Sequence, residues 1–339
     1  MHFPLFSSKR FGIDLGTSNC LVWSSGEGVV LNEPSVVAVD AISGKVVFVG
    51  SQAREMLGRT GTNLLAQKPI RDGVVADYLI AESMLGYFLN RVWASSRLIK
   101  PEVMVCIPWG ITQVERRAVL EAALSAGAKS AYLIEHPLAA ALGAKLPIEA
   151  SVGSMIVDIG AGQTGAAVIS LGGIVVAATA KEGGNKLDEA IASYVRRVHN
   201  LVIGERMAEE VKIKIGTAVA TNPKKVIDVK GRDAILGMPK TTQLDSFEVA
   251  QAIAPVLSSI INCIKNVLEQ TPPELASDII DRGIVLTGGS SLLKNLDRLI
   301  STQTGLSAHV AEDPLQCVAY GTGVALENIE RWKRIVSVR

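Results

Sequence analysis

Residues 155–165 read MIVDIGAGQTG, an apolar run that ends at Asp158-Ile159-Gly160 and breaks into a turn of small residues. A short apolar run bounded by glycines describes a buried strand, and a second apolar run, AAVISL, follows the turn. Residues 11–19, FGIDLGTSN, repeat the plan: an apolar strand, then Asp14-Leu15-Gly16, a small-residue turn and the apolar run CLVW. Two such hairpins, nearly half the chain apart, predict a duplicated α/β unit with one copy per lobe.

Helical patterns follow each copy. ERRAVLEAALSAGAK (115–129) is amphipathic and reaches a glycine; NKLDEAIASYVRRVHNLV (185–202) starts after Gly183-Gly184; ERMAEEVKIKIG (205–216) closes at Gly216. LIEHPLAAALG (133–143) reads as a helix start, because proline suits the first helical turn. IVLTGGSSLL (284–293) runs a strand into a Gly-Gly-Ser turn and a helix, and 219–247 is the most strand-like insert of the second half. The uncharged window Gly160–Ala180 is the most membrane-like, but its glycines break it into two strands around a Gly-Gly turn. No Pro- or Ser-rich linker separates the halves, so the lobes are expected to pack over a cleft.

With 339 residues, 48% apolar and 20% charged, the chain supports a large core and is too apolar for disorder. A net charge of +1 provides no field to attract nucleic acid. The four cysteines are scattered without metal-binding spacing, as expected of buried thiols in a cytosolic protein. MHFPLFSSKR lacks the long apolar stretch of a secretory signal.

A strand that ends in a glycine turn presents consecutive backbone N–H groups to phosphate oxygens. Gly16 to Asn19 form such a turn in the first copy, and Gly160, Ala161 and Gly162 in the second. Asp14 and Asp158 are expected to face each other and hold Mg²⁺ through water, an ion that takes few protein ligands. A third turn, TGGSS (287–291), suits the adenosine side of a nucleotide. Phe3, Leu5 and Phe6 precede Lys9 and Arg10, and Leu98-Ile99 lies between Arg97 and Lys100. Apolar residues beside cations suit an anionic bilayer surface.

IDLGTSN, VVLNEPSVVA, DGVVADY, TQVERRAVLEAA, GAKSAYLIEHPLAAALGAKLP, GSMIVDIGAGQTGAAVISL, GGNKLDEAIASYVRR, PPELASDI, GIVLTGGSSLLKNLDRL and AEDPLQCVAYGTG together closely resemble the MreB family of bacterial actins. The resemblance is collinear over about residues 11–330. It implies an actin-like α/β fold, shared with Hsp70 and sugar kinases, of two lobes around an ATP–Mg²⁺ cleft. The implied division is a membrane-contacting segment 1–10, lobe I at 11–150 (subdomains IA and IB), lobe II at 151–330 (IIA and IIB, with IIB about 185–250) and a basic tail 331–339. It also implies homopolymerisation into paired protofilaments at the inner face of the cytoplasmic membrane. There such filaments work with membrane proteins of cell-wall elongation and organise rod shape.

Residue by residue, the resemblance carries Thr17, Ser18 and Asn19 onto the first phosphate turn and Gly160, Ala161 and Gly162 onto the second. Glu209 and Lys212 fall on the helix flanking the adenosine, and Gly288, Gly289, Ser290 and Ser291 on the final turn. Three places depart from the family pattern. Glu135-His136-Pro137 stands where Glu-Glu-Pro is usual, and Gly160-Ala161-Gly162-Gln163-Thr164-Gly165 where Gly-Gly-Gly-Thr-Thr-Glu is usual. GGNKLDEA replaces GGDRFDEA, keeping Asp188. Nucleotide binding is expected to survive these changes and hydrolysis to be slow. His136 and Gln163 then occupy the catalytic positions of a weak ATPase, unless His136 is an ordinary core histidine. The competing readings are a filament that positions plasmids or organelles, a small-molecule kinase and an Hsp70-like chaperone. The kinase needs a general-base Asp beside a substrate pocket, and the chaperone needs a further peptide-binding domain.

Overall fold

The computed structural model describes residues 8–59, 61, 63–93, 100–332 and 337–338. They divide into two units: one within Met1–Val152, Ile169–Val175 and Leu315–Arg339, the other within Gly153–Val168 and Val176–Pro314.

In the first unit the stretch FGIDLGTSN folds as expected, with strand Arg10–Leu15 turning back antiparallel onto Asn19–Ser24. Gly28–Pro34 extends that meander. On its other side Arg10–Leu15 pairs parallel with Glu102–Ile107, which pairs parallel with Ser130–Glu135. Parallel neighbours need crossover connections, commonly helical, and Tyr78–Trp93 and Gln113–Ser125 lie in those connections. Thr112 starts the second of these helices with a capping box, its side chain and that of Glu115 each bonding the other's backbone N–H. Strand Ser337–Val338 completes the six-stranded sheet beside Ser130–Glu135.

Helix Cys317–Glu327 packs on helix His136–Gly143 and on strand Arg10–Leu15. The approach is so close that a Cβ on Gly321 would collide with the Ala139 carbonyl, and one on Gly143 with the Cys317 carbonyl. Small residues permit this backbone proximity. That packing corrects the expected lobe boundary at residue 330, because 315–332 belong to the first unit.

The second unit has a five-stranded sheet in the order Gly173–Ala180, Thr164–Ser170, Ser154–Ile159, Ile284–Thr287, Ala308–Val310. Ser154–Ile159 is buried along its whole length, as MIVDI implied. The turn after Thr164–Ser170 falls one residue earlier than expected: Leu171 and Gly172 take positive φ of 50° and 75°, and Gly173 opens the next strand. Helix Gly184–His199 stops short of the expected residue 202 at Asn200, which adopts the left-handed conformation. Asparagine tolerates that region better than most residues, and the Asn200 carbonyl accepts the Ala234 N–H at 2.8 Å. Leu201–Val202 instead begins a three-stranded antiparallel sheet with Val226–Asp233 and Pro239–Asp245, the insert anticipated from 219–247. After Ile284–Thr287 the chain makes a single 3-10 turn, Gly289–Leu292, before helix Leu296–Thr304.

Among the described residues one helix, Ser246–Glu269, is long and apolar enough to cross a membrane. The window Gly160–Ala180 is not a helix but holds the strands Thr164–Ser170 and Gly173–Ala180, as its glycines implied. Val249, Ile253, Leu257, Ile260, Ile264 and Val267 recur at helical spacing along Ser246–Glu269 and lie buried in the core of the second unit. The four cysteines are buried, and none is in a disulfide.

Candidate functional site

The turn 16–19 is held from outside. Ser35 Oγ donates to the Gly16 carbonyl at 2.7 Å, and the Ser35 N–H donates to the Ser18 carbonyl at 2.8 Å. Thr17 is buried, and its hydroxyl accepts the Gly73 N–H at 3.0 Å. Asn19 points its amide at Asn32, 2.7 Å away. A Cβ on Gly16 would lie 2.6 Å from the Asn19 carbonyl, so only glycine permits this tight turn. The backbone of 16–19 is therefore the fixed part, and two of its side chains serve the scaffold.

His136 opens helix His136–Gly143 with Pro137 behind it, and Glu135 is the N-cap in extended conformation. Its Nε2 lies 3.7 Å from Asp14 Oδ1, and both side chains are largely buried. The structure thus brings a candidate catalytic residue and a candidate metal residue side by side. Glu135 turns away from the helix end and accepts a hydrogen bond from Arg116 at 2.5 Å. The sequence reading missed this pair. Its signal was Arg116 in the amphipathic helix that lies between two strands that pair parallel.

In the second unit three turns interlock. The Gly160 N–H closes the first turn onto the Gln163 carbonyl at 2.9 Å. The Gly160 and Ala161 carbonyls accept the Gly184 and Asn185 N–H groups at 3.0 and 2.8 Å. Ser290 Oγ donates to the Gly160 carbonyl at 2.9 Å, tying in the third turn. Gly183 and Gly288 sit where a Cβ would strike backbone carbonyls of Gly160 and Ile159 respectively, and Gly288 also needs its positive φ of 82°. Gly162 is buried, Ala161 half-buried and Gly289 exposed. Ser291 is buried, with its hydroxyl spent on the Gly288 carbonyl at 2.6 Å. Gln163 is half-buried at the edge of this cluster.

Asp158 is buried, and its Oδ1 accepts the Thr287 hydroxyl at 3.0 Å. Thr287 stands opposite Asp158 in the parallel pairing of Ser154–Ile159 with Ile284–Thr287. The strand register was needed to find this contact. Asp14 belongs to the first unit and Asp158 to the second. Among the described residues no group of three or more His, Cys, Asp or Glu side chains gathers around one point. Isolated carboxylates fit Mg²⁺, which retains waters and takes one or two carboxylates plus phosphate oxygens, better than a metal that needs a full protein cage.

Lys212 ties the helix Glu205–Ile215 to this cluster. Its ammonium donates to the Gly184 carbonyl at 2.9 Å and to Asp188 Oδ2 at 2.8 Å. Asp188 is 5% exposed, and its Oδ1 is buried with no hydrogen-bond partner. Burial pushes the Asp188 carboxyl up from 3.8 to about 6; Lys212 opposes the rise, and Glu209 and Glu205 add to it. The half-buried Glu209 therefore lies within electrostatic reach of Asp188. Since the folded value exceeds the unfolded one, the folded chain holds the proton more tightly. This group's contribution to stability is full below about pH 4 and is lost as the pH rises through about 6. Asp188→Asn should remove that component, so the stability advantage of the parent over the variant shrinks from pH 4 to pH 7 in chemical unfolding. A constant difference across that range would contradict it.

Phe3, Leu5, Phe6, Leu98 and Ile99 lie outside the described residues.

The family model for MreB/Mbl protein matches residues 8–334. The cell shape-determining protein MreB of Escherichia coli is 50% identical over 328 residues, 95% of this chain and 94% of that protein. The cell shape-determining protein Mbl of Bacillus cereus is 46% identical over 324 residues, covering 96% and 97%. Among solved structures, MreB5 of Spiroplasma citri bound to ADP superposes with a TM-score of 0.92 at 35% identity, covering 97% of this chain and 99% of that one.

Proposed function

Because the chain belongs to the MreB/Mbl family and has its actin-like α/β fold, we propose that it binds ATP with Mg²⁺ and polymerises into filaments at the inner face of the cytoplasmic membrane. Through these filaments it organises cell-wall synthesis and rod shape. The interlock of turns 160–163, 183–185 and 288–291 carries this reading, because glycines there let backbone pack directly on backbone and build a surface largely of main chain. Such surfaces receive phosphates and the sugar beside them. The solved relative from Spiroplasma citri was crystallised with ADP, which supports nucleotide binding.

In this reading the fixed backbone of 16–19 and 160–162 receives phosphate oxygens. Glu209 and Lys212 line the adenosine side with Gly288, Gly289, Ser290 and Ser291. Asp14 and Asp158 would hold Mg²⁺ through water, and the ion would screen the phosphate charge. His136 puts an imidazole, which when neutral can still accept a proton, where a carboxylate is usual. Gln163 can orient a water but cannot act as a base. The chain is then a polymer with a weak ATPase as its timer.

For the membrane contact, each large side chain buried in lipid contributes about 1.5–3 kcal/mol. That is too little for a monomer, but a filament repeats the contact along its length. Electron microscopy and co-sedimentation of the protein with ATP and Mg²⁺ on anionic liposomes test the whole reading. Filaments should form on the lipid. A Leu98→Ser, Ile99→Ser variant lacking residues 2–7 should form filaments that no longer bind it. Undiminished lipid binding by the variant would refute the membrane contact. Phosphorylation of a small metabolite in place of assembly would favour the kinase reading.

A further inference from the structure

Asp188 lies in the opening turns of helix Gly184–His199, where it is 5% exposed and its Oδ1 has no hydrogen-bond partner. A buried polar atom left in this way costs stability, and in a native fold it calls for an explanation. Its other oxygen, Oδ2, accepts the Lys212 ammonium at 2.8 Å, from a lysine that crosses over from helix Glu205–Ile215. A buried ion pair is commonly no more stabilising than apolar side chains of the same volume. The use of this pair lies in what the ammonium does next.

Lys212 also donates to the Gly184 carbonyl at 2.9 Å. That carbonyl belongs to the peptide group between Gly184 and Asn185, whose N–H donates to the Ala161 carbonyl at 2.8 Å. Lys212 thus grips one end of a peptide whose other end holds the turn 160–162. Hydrogen bonds joined through one peptide polarise and strengthen each other. The preceding peptide repeats the anchorage, with the Gly184 N–H on the Gly160 carbonyl at 3.0 Å. The ammonium sits where the three turns meet. A Cβ on Gly184 would lie 3.2 Å from Lys212 Nζ, 2.7 Å from Ser290 Oγ and 3.5 Å from Ala161 Cα. An ammonium has three donors; Asp188 and Gly184 take two of them, and the third remains for an oxygen of a ligand.

We propose that Asp188 is a positioning residue for nucleotide binding, holding the Lys212 ammonium on the Gly184 carbonyl so that charge and phosphate turn are aligned before the ligand arrives. The inference rests on the nucleotide reading above and adds to it a residue that acts through Lys212. A lysine on its flexible stem loses much rotamer freedom when fixed. Asp188 imposes that order in the free protein, so binding does not have to. The two protonation states of Asp188 then serve opposite ends. The fold favours the neutral carboxyl, because burial raises it to about 6 against the pull of Lys212, with Glu209 and Glu205 adding to the rise. The ligand favours the anion, which holds the ammonium more firmly. Nucleotide binding therefore strengthens as the pH rises through about 6, while this group's contribution to stability is lost over the same rise.

Calorimetric titration of ATP with Mg²⁺, from about pH 5 to about pH 8, compares the full chain with the nearly isosteric Asp188→Asn. Protonation of ATP itself is common to both and cancels in the ratio of their affinities. At the upper end the parent should bind about tenfold more tightly than the variant, the scale of one charge-assisted hydrogen bond. The two should converge at the lower end. Chemical unfolding should run the other way, the parent losing its advantage as the pH rises. A residue with only a structural role would move affinity and stability together. In a Lys212→Met background, Asp188→Asn should change ATP affinity by less than about twofold, the spread expected of uncoupled sites. Equal ATP binding by parent and Asp188→Asn at every pH overturns the proposal and leaves the nucleotide reading standing. A loss that is the same at every pH, or that persists in the Lys212→Met background, overturns it as well. Should Lys212→Met fail to fold, the pH comparison decides alone. A parent that does not bind ATP overturns both readings.

Discussion

Asp158→Ala should abolish Mg²⁺-dependent nucleotide binding while the protein stays folded. Asp158 is 4% exposed at the end of a fully buried strand, where the Thr287 hydroxyl fixes one carboxylate oxygen. The backbone of Gly288 approaches so closely that a Cβ there would lie 2.9 Å from the same oxygen. A carboxylate oriented this firmly holds water around an ion with little loss of freedom. Losing groups in the outer shell of a metal typically costs about 10–100-fold in affinity. The structural cost is smaller. Removing the carboxylate strands a buried Thr287 hydroxyl, worth about 1–3 kcal/mol, against a typical total of about 5–15 kcal/mol. Asp158→Asn separates the two effects, because the amide oxygen can still accept from Thr287 while the charge is gone. Calorimetric titration of ATP with and without Mg²⁺ should show both variants weakened and the metal dependence lost. Unchanged ATP binding by Asp158→Ala would end the assignment of this residue.

The second large effect concerns His136. Phosphate release from ATP should be slow in the parent and rise about 10²-fold or more in His136→Glu, the low end of the range of about 10²–10⁴ that positioned acid–base groups supply. The rise should be larger still when Gln163→Thr is added. The geometry gives the reason. A carboxylate at 136 would sit at the first turn of helix His136–Gly143, close to where Nε2 now lies 3.7 Å from Asp14 Oδ1. Two carboxylates at that distance resist simultaneous ionisation, so one of them moves towards neutral pH and becomes a better base. The imidazole now there meets Asp14 differently: once protonated it forms an ion pair, and it can then no longer take a proton from water. Single-turnover phosphate release at saturating ATP reads the chemical step apart from binding. If the parent hydrolyses ATP briskly and His136→Glu slows it, His136 is the working group and the prediction fails.

Much of this architecture was legible locally. MIVDIG and FGIDLG announce strands because apolar runs end at glycines, and Pro137 marks a helix start because its missing N–H costs nothing in the first turn. Family membership was legible because many motifs occur in one order along the chain, which no single phosphate turn could have established. Where the sequence reading slipped, the errors were at boundaries. Leu171 and Asn200 adopt left-handed backbone that their own side chains do not demand. Apolar length alone cannot tell a core helix from a spanning one, and the buried face of Ser246–Glu269 packs in the core of the second unit.

The chain alone determined which segments are strands, helices and glycine turns, and placed Asp14, Asp158 and His136 at their ends, because those properties follow from periodicity and turn chemistry over a few residues. Only the tertiary structure decided what each of them touches. Thr287 meets Asp158 through the register of two parallel strands, Arg116 draws Glu135 away from the helix end, and Lys212 joins Asp188 from a separate helix. It also decided that Cys317–Glu327 belongs with the first unit, where facing glycines let two backbones approach. Strand pairing and helix packing fix such contacts, and their energy comes from burying surfaces distant in sequence, which no local pattern encodes.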